Sequence, residues 1–146
     1  MSIKIRPLEM NDFPAWLPLW IDNNMGNHDE DITTETWTRI IDPNHPVNGL
    51  GAFKGDKLVG ILHYILHNTT GYIQPVCYMQ DLFVNETARK GGIGRKLVKE
   101  LERIARREKW SRMYWLAEED NEAAQALYKD FGVKIPFTVH ILSTGN

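Results

Sequence analysis

Two hydrophobic periods alternate along this chain. Ile3 to Leu8 switches between apolar and polar positions and predicts a first strand. Asn11 to about Asn23 carries Phe13, Trp16, Leu17 and Trp20 at helical spacing, with Pro14 in the first turn, where proline is tolerated. Gly26 to Asp31 reads as a polar, acidic loop. Thr33 to Ile41 predicts a second, short helix with Trp37, Ile40 and Ile41 on one side and Asp42-Pro43 as its stop. Leu50 to Phe53 and Leu58 to Leu66 make a hairpin around Lys54-Gly55-Asp56-Lys57. After a turn at Asn68 to Gly71, Ile73 to Val84 forms a long strand, with an interruption expected near Pro75. Ile93, Leu97, Leu101, Ile104 and Ala105 mark the apolar face of an amphipathic helix. Arg112 to Ala117 reads as a strand, Asp120 to Tyr128 leads into a last helix closed by Phe131-Gly132, and a final strand follows. This order predicts a mixed α/β (α+β) architecture. No repeat, low-complexity segment or linker divides the chain, so one domain over residues 1–146 is expected.

The junction between the long strand and the amphipathic helix holds the most specific chemistry. Tyr78-Met79-Gln80-Asp81-Leu82-Phe83-Val84 precedes it, and the turn itself contains Arg89, Lys90, Gly91, Gly92, Ile93, Gly94 and Arg95. A glycine-rich turn that opens a helix gathers backbone N–H groups at the positive end of the helix dipole, which suits phosphate oxygens. The glycines also let a ligand approach the backbone closely. The pattern is not a P-loop, because no Lys-Ser or Lys-Thr follows the glycines. It is not a dinucleotide fingerprint either: Gly92 and Gly94 are followed by Arg95-Lys96-Leu97, so the third glycine is missing.

The remaining pattern, Arg89-x-x-Gly92-x-Gly94 between a hydrophobic strand and a long helix, resembles the acyl-CoA pyrophosphate loop of the Gcn5-related N-acetyltransferases, the GNAT family. Further along, Asn121 and Tyr128 stand seven residues apart after the next strand, in the family's order and spacing. The resemblance covers roughly residues 48 to 142 and more weakly the whole chain. It implies a GNAT fold, with a mixed, mostly antiparallel sheet of about six to seven strands and about four helices. It also implies acetyl-CoA as co-substrate, no metal, and direct attack of an amine on the thioester in a ternary complex. The backbone of Leu82, Phe83 and Val84 would then bond the pantetheine arm as an added strand, and Arg89 to Arg95 would hold the pyrophosphate. Tyr128 would donate the proton to the departing thiolate, since a phenol is protonated at neutral pH. Asn121 has two readings, a side-chain amide near the cofactor arm and a plain helix N-cap. For the base, the positions to compare are Tyr78 and Gln80, and neither is a carboxylate. Asp81 is the nearest acid and the candidate catalytic group, with a structural bridge to a neighbouring helix as its alternative. Glu118, Glu119 or waters and backbone carbonyls are further routes.

Composition narrows the class. The net charge of −2 gives no basic footprint for nucleic acid, and no apolar run reaches the length of a membrane span. One cysteine, Cys77, excludes an internal disulfide and fits a cytoplasmic location. His63 and His67 stand four apart on a strand without a third ligand, so they read as surface or pocket-edge side chains rather than a metal site. Trp16, Trp20 and Trp37 read as core. Short matches including His63-Tyr64, His67 and Gln80 to Val84 resemble the histone, polyamine and D-amino-acid acetyltransferase subgroup. The expected acceptor is therefore the amine of a small molecule, polyamine or amino-acid-like, and the expected partner a second copy in a homodimer. The alternatives are protein lysine or N-terminal acetylation, and a non-catalytic acyl-CoA-binding module.

Overall fold

Apolar alternation and turn chemistry build one sheet whose strands lie side by side in chain order. The computed structural model describes residues 2–145. They group into a larger unit running to Leu116 and a smaller one beginning at Ala117. In the larger unit, β1 (Ile3–Pro7) leads through a short 3-10 turn, Met10–Asp12, into α1 (Phe13–Asn23) and α2 (Glu30–Ile41). There follow β2 (Val47–Lys54), β3 (Lys57–His67), β4 (Val76–Val84), a second 3-10 turn (Glu86–Ala88), α3 (Ile93–Glu108) and β5 (Arg112–Trp115). The smaller unit contains α4 (Glu122–Tyr128). Strands β1 to β4 pair antiparallel, and β4 pairs with β5 in parallel. That parallel pair is possible because α3 carries the chain back across the sheet between them.

The two faces of the sheet are covered differently. On one, α1 and α2 bring Trp16, Leu19, Trp20, Trp37 and Ile40 against Leu8, Phe53, Leu58 and Ile61. Trp16 is fully buried, stacks on Trp20 with ring centres 5.3 Å apart and lies 4.8 Å from Trp37. On the other, α3 buries Ile93, Leu97, Val98 and Leu101. Gly60 permits this approach: a Cβ there would come within 3.1 Å of Ile93 and 3.2 Å of Leu97. Arg6 ties β1 to the start of α1 through two hydrogen bonds to Asp12, of 2.8 and 3.0 Å. The hydrogen bond from Arg6 holds the Asp12 carboxyl below its usual range.

Three expectations are corrected. Among the described residues the sheet has five strands, not six to seven. The final strand is absent among the described residues: residues 133–145 have no ladder partner, Val133, Phe137 and Ile141 are exposed, and Pro136 removes a ladder donor. The acidic loop is a helix start, since Asp29 caps α2 by accepting from the Ile32 N–H at 3.0 Å, with Glu30 and Asp31 in the first turn.

Candidate active site

The register of β4 creates an edge. His63 pairs with Asp81 and Tyr64 with Met79, so Gln80 is an extra residue in β4, a β-bulge. On the other side, β5 pairs with β4 only from Val76↔Arg112 to Met79↔Trp115. From Gln80 to Val84, β4 therefore has β3 on one side and no ladder partner on its β5 side. Leu82, Phe83 and Val84 lie on this stretch. An edge of this kind offers main-chain donors and acceptors to an extended ligand that carries amides.

The edge leads into the glycine loop. Asn85 closes the 3-10 turn by accepting from the Thr87 N–H at 3.0 Å. Arg89 folds back: its Nε–H donates to the Val84 carbonyl at 3.0 Å, and its guanidinium lies 5.4 Å from the centre of the Phe83 ring. Lys90 and Gly92 both take left-handed backbone conformations, φ 74° and 73°. Gly92 is the N-cap of α3, and the first α-helical bond of α3 runs from the Lys96 N–H to the Gly92 carbonyl at 3.0 Å. The N–H groups of Ile93, Gly94 and Arg95 thus precede the ladder, at the positive end of a helix of 16 residues. A Cβ on Gly92 would meet nothing within 4 Å. Its glycine serves the backbone conformation, and the outer side of the loop stays clear. These features fit a pyrophosphate.

In the smaller unit Asn121 is a helix cap, its side chain accepting from the Ala124 N–H at 3.1 Å. Gln125 donates to the Glu118 carbonyl at 2.9 Å, fixing the first turns of α4. Tyr128 ends that helix. Burial pushes its phenol above the ordinary value, so it is protonated at neutral pH.

Asp81 is part of a buried chain of hydrogen bonds. Trp16 Nε1–H donates to His63 Nε2 at 3.0 Å, and His63 Nδ1 meets Asp81 Oδ2 at 2.9 Å. The Asn23 amide donates to Asp81 Oδ1 at 3.2 Å. Trp16 can only donate, so His63 Nε2 is the acceptor and the ring proton sits on Nδ1, directed at the carboxylate. Burial raises the Asp81 pKa, but the hydrogen bond from His63, with that from the Asn23 amide, outweighs it and holds the carboxyl below its usual range. The chain joins α1, β3 and β4 next to the bulge, so Asp81 makes the bridge to a neighbouring helix. His63 is not a surface or pocket-edge side chain: it is 3% exposed. Cys77 is fully buried in β4, and burial pushes its thiol up to about 12, which suits packing rather than nucleophilic work.

A second polar set stands on the same sheet face, past the helices. His67 Nε2 lies 2.8 Å from the Tyr114 hydroxyl and His67 Nδ1 3.1 Å from the Asn68 carbonyl. Tyr114 on β5 stacks on its ladder partner Tyr78 on β4, with centres 4.9 Å apart and an angle of 16°. Sequence reading left this set unseen, because His67 and Tyr114 are 47 residues apart and meet only through the β3-β4-β5 register. Among the described residues no three His, Cys, Asp or Glu side chains group as metal ligands, and no helix is long and apolar enough to cross a membrane.

Known proteins share both sequence and fold with this chain. The profile of the Acetyltransferase (GNAT) family matches residues 5–133. A D-amino-acid N-acetyltransferase of Saccharomyces cerevisiae is 33% identical over 138 residues, covering 90% of this chain and 85% of the relative. The crystal structure of a ribosomal-protein-alanine N-acetyltransferase from Brucella melitensis biovar Abortus 2308 superposes with a TM-score of 0.83 at 18% identity, over 98% of this chain and 99% of that one. An aminoglycoside N-acetyltransferase in complex with CoA superposes with a TM-score of 0.82 at 17% identity, over 99% and 96%.

Proposed function

This chain belongs to the acetyltransferase (GNAT) family and is an acyltransferase, and on that premise we propose that it transfers the acetyl group of acetyl-CoA to the primary amine of a small, amino-acid-like or polyamine molecule. The observation that carries this reading is continuity: the unpartnered edge of β4 runs into the Gly92-capped start of α3. Pantetheine amides would add along Leu82, Phe83 and Val84, and the pyrophosphate would rest on the turn from Arg89 to Arg95. The yeast relative, named for D-amino acids, supports an amino-acid-like acceptor. A hollow between α1 and α2, lined by Trp20, Asn24, Asn27, His28, Asp29 and Thr33, offers a carboxylate and amides suited to such a ligand.

In the reaction the neutral amine attacks the thioester carbon, the C–S bond breaks, the nitrogen sheds one proton to become the amide, and the thiolate takes one. Tyr128 is assigned as the donor, and Asn121 as the cap that fixes the helix carrying it. Asp81, with both oxygens engaged, holds the bulge in this reading rather than taking the amine proton. Thiol release from acetyl-CoA would be followed with D- and L-amino acids, polyamines, basic peptides and a folded protein. Turnover is expected with a small amine. A clear preference for the folded protein, or acetyl-CoA binding with no turnover, overturns the reading. Tyr128→Phe keeps the ring and removes the acid, so kcat should fall by about 10²–10⁴-fold with acetyl-CoA affinity unchanged. An unchanged kcat would make Tyr128 a packing residue.

A further inference from the structure

We propose that Tyr114 and His67 form the path by which the acceptor amine loses its proton. The proposal rests on the acetyl-transfer reading above and supplies the base that reading lacks. A carbonyl only accepts, so the Asn68 carbonyl, 3.1 Å from His67 Nδ1, fixes the ring proton on that nitrogen. His67 Nε2 then carries a lone pair and accepts the Tyr114 O–H at 2.8 Å. This is an oriented base on a hydroxyl, with a third group setting the tautomer. The phenol ring is held from one further side, stacked on Tyr78 with centres 4.9 Å apart, while the imidazole stands edge-on to it at 84°.

The position fits the chemistry. Tyr78↔Tyr114 is the last ladder pair but one before β4 and β5 part after Met79↔Trp115, and the bulge at Gln80 follows. The relay therefore stands where the unpartnered edge begins. Residues 78 and 80 on β4 are not acids, and each Asp81 oxygen already accepts a hydrogen bond that ties it to α1 or β3. His67 is exposed and can pass its gained proton to water. Of the titratable or charged side chains near it, Tyr78 stacks on Tyr114 and feels the charge of Asp81, and Arg112 lies on the same rung through Val76, 5.7 Å from the Tyr72 ring centre.

In the step, an ammonium proton of the acceptor passes to Tyr114 Oη while the Tyr114 proton passes to His67 Nε2. The imidazolium releases that proton to solvent, and the neutral amine attacks the thioester. When the C–S bond breaks, the new amide nitrogen gives up its second proton and the thiolate takes one from Tyr128, which is reprotonated in turn, so the net release is one proton per turnover. Tyr114 is the catalytic residue, and His67 acts through it.

Steady-state kinetics with D-lysine and spermidine as acceptors test this in wild type, Tyr114→Phe, His67→Gln and the double variant, with circular dichroism to confirm folding. At neutral pH each single variant should lose about 10²-fold or more in kcat with the acetyl-CoA KM unchanged, and the double variant should be no worse than either. The deficit should shrink as pH rises toward the pKa of the amine, because free amine then arrives without the relay. A structural role would give a deficit independent of pH. Folded variants within twofold of wild type, or a deficit constant with pH, overturn the relay alone. No turnover by wild type with either amine overturns the acetyl-transfer reading and the relay with it.

Discussion

His63 and His67 lie four residues apart on one strand and one sheet face, and their surroundings have opposite consequences. His63 is buried, with Trp16 on one nitrogen and Asp81 on the other. His67 is exposed, with a carbonyl on one nitrogen and a tyrosine hydroxyl on the other. The difference lies in the far partner. An indole N–H only donates, so a proton cannot travel beyond His63 Nε2, whereas a tyrosine hydroxyl both donates and accepts and can pass one on. The first set is a strut and the second a conduit.

Asp81→Ala should give the largest change in stability. It leaves the buried Nδ1–H of His63 without its acceptor, and denaturant unfolding should show a loss of about 3 kcal/mol. A loss below about 0.5 kcal/mol would mean that the strut does not hold the fold. Trp16→Phe keeps an aromatic ring but strands the Nε2 lone pair of His63 and leaves a small void, so about 1–2 kcal/mol is expected.

Acid should attack the strut in a defined window. Asp81 and Asp12 have folded pKa values below their unfolded value of about 3.9, so their contribution is present above that value and is lost as pH falls through the folded values. The unfolding free energy should therefore decline below about pH 4, and less steeply in Asp81→Asn. Equal slopes in wild type and variant would contradict the pairing. The smallest effect is expected at the conduit: His67→Gln should change stability by no more than about 0.5 kcal/mol, because the side chain is exposed. A loss comparable to that of Asp81→Ala would erase the contrast between the two regions.

What the sequence revealed was local. The helical spacing of Trp16 and Trp20, the hairpin at Gly55-Asp56 and the glycine turn at Gly92 each carry their signal within one element. What it hid depends on register and distant partners. The bulge at Gln80 exists only because β3 and β4 pair as they do, and no residue type announces it. His63 looked like a surface residue because Trp16 lies 47 positions away. The acidic triplet looked like a loop because the apolar face of α2 starts later, at Thr33, although an Asp followed by two acids is also a helix-start signal. The last strand was expected from the order of elements, and such an order supplies no partner edge for exposed residues such as Val133 and Phe137.

In the proposed function CoA seats on the β4 edge and the Gly92 turn. Amide hydrogen exchange with and without saturating CoA tests this most directly, since it reads the backbone groups that would bond the ligand. Slower exchange is expected in segments covering Leu82 to Val84 and Gly91 to Arg95. No change is expected in the α1 segment around Trp16, whose amides are already bonded within the helix. Protection confined to other segments, or none at saturation, would contradict it.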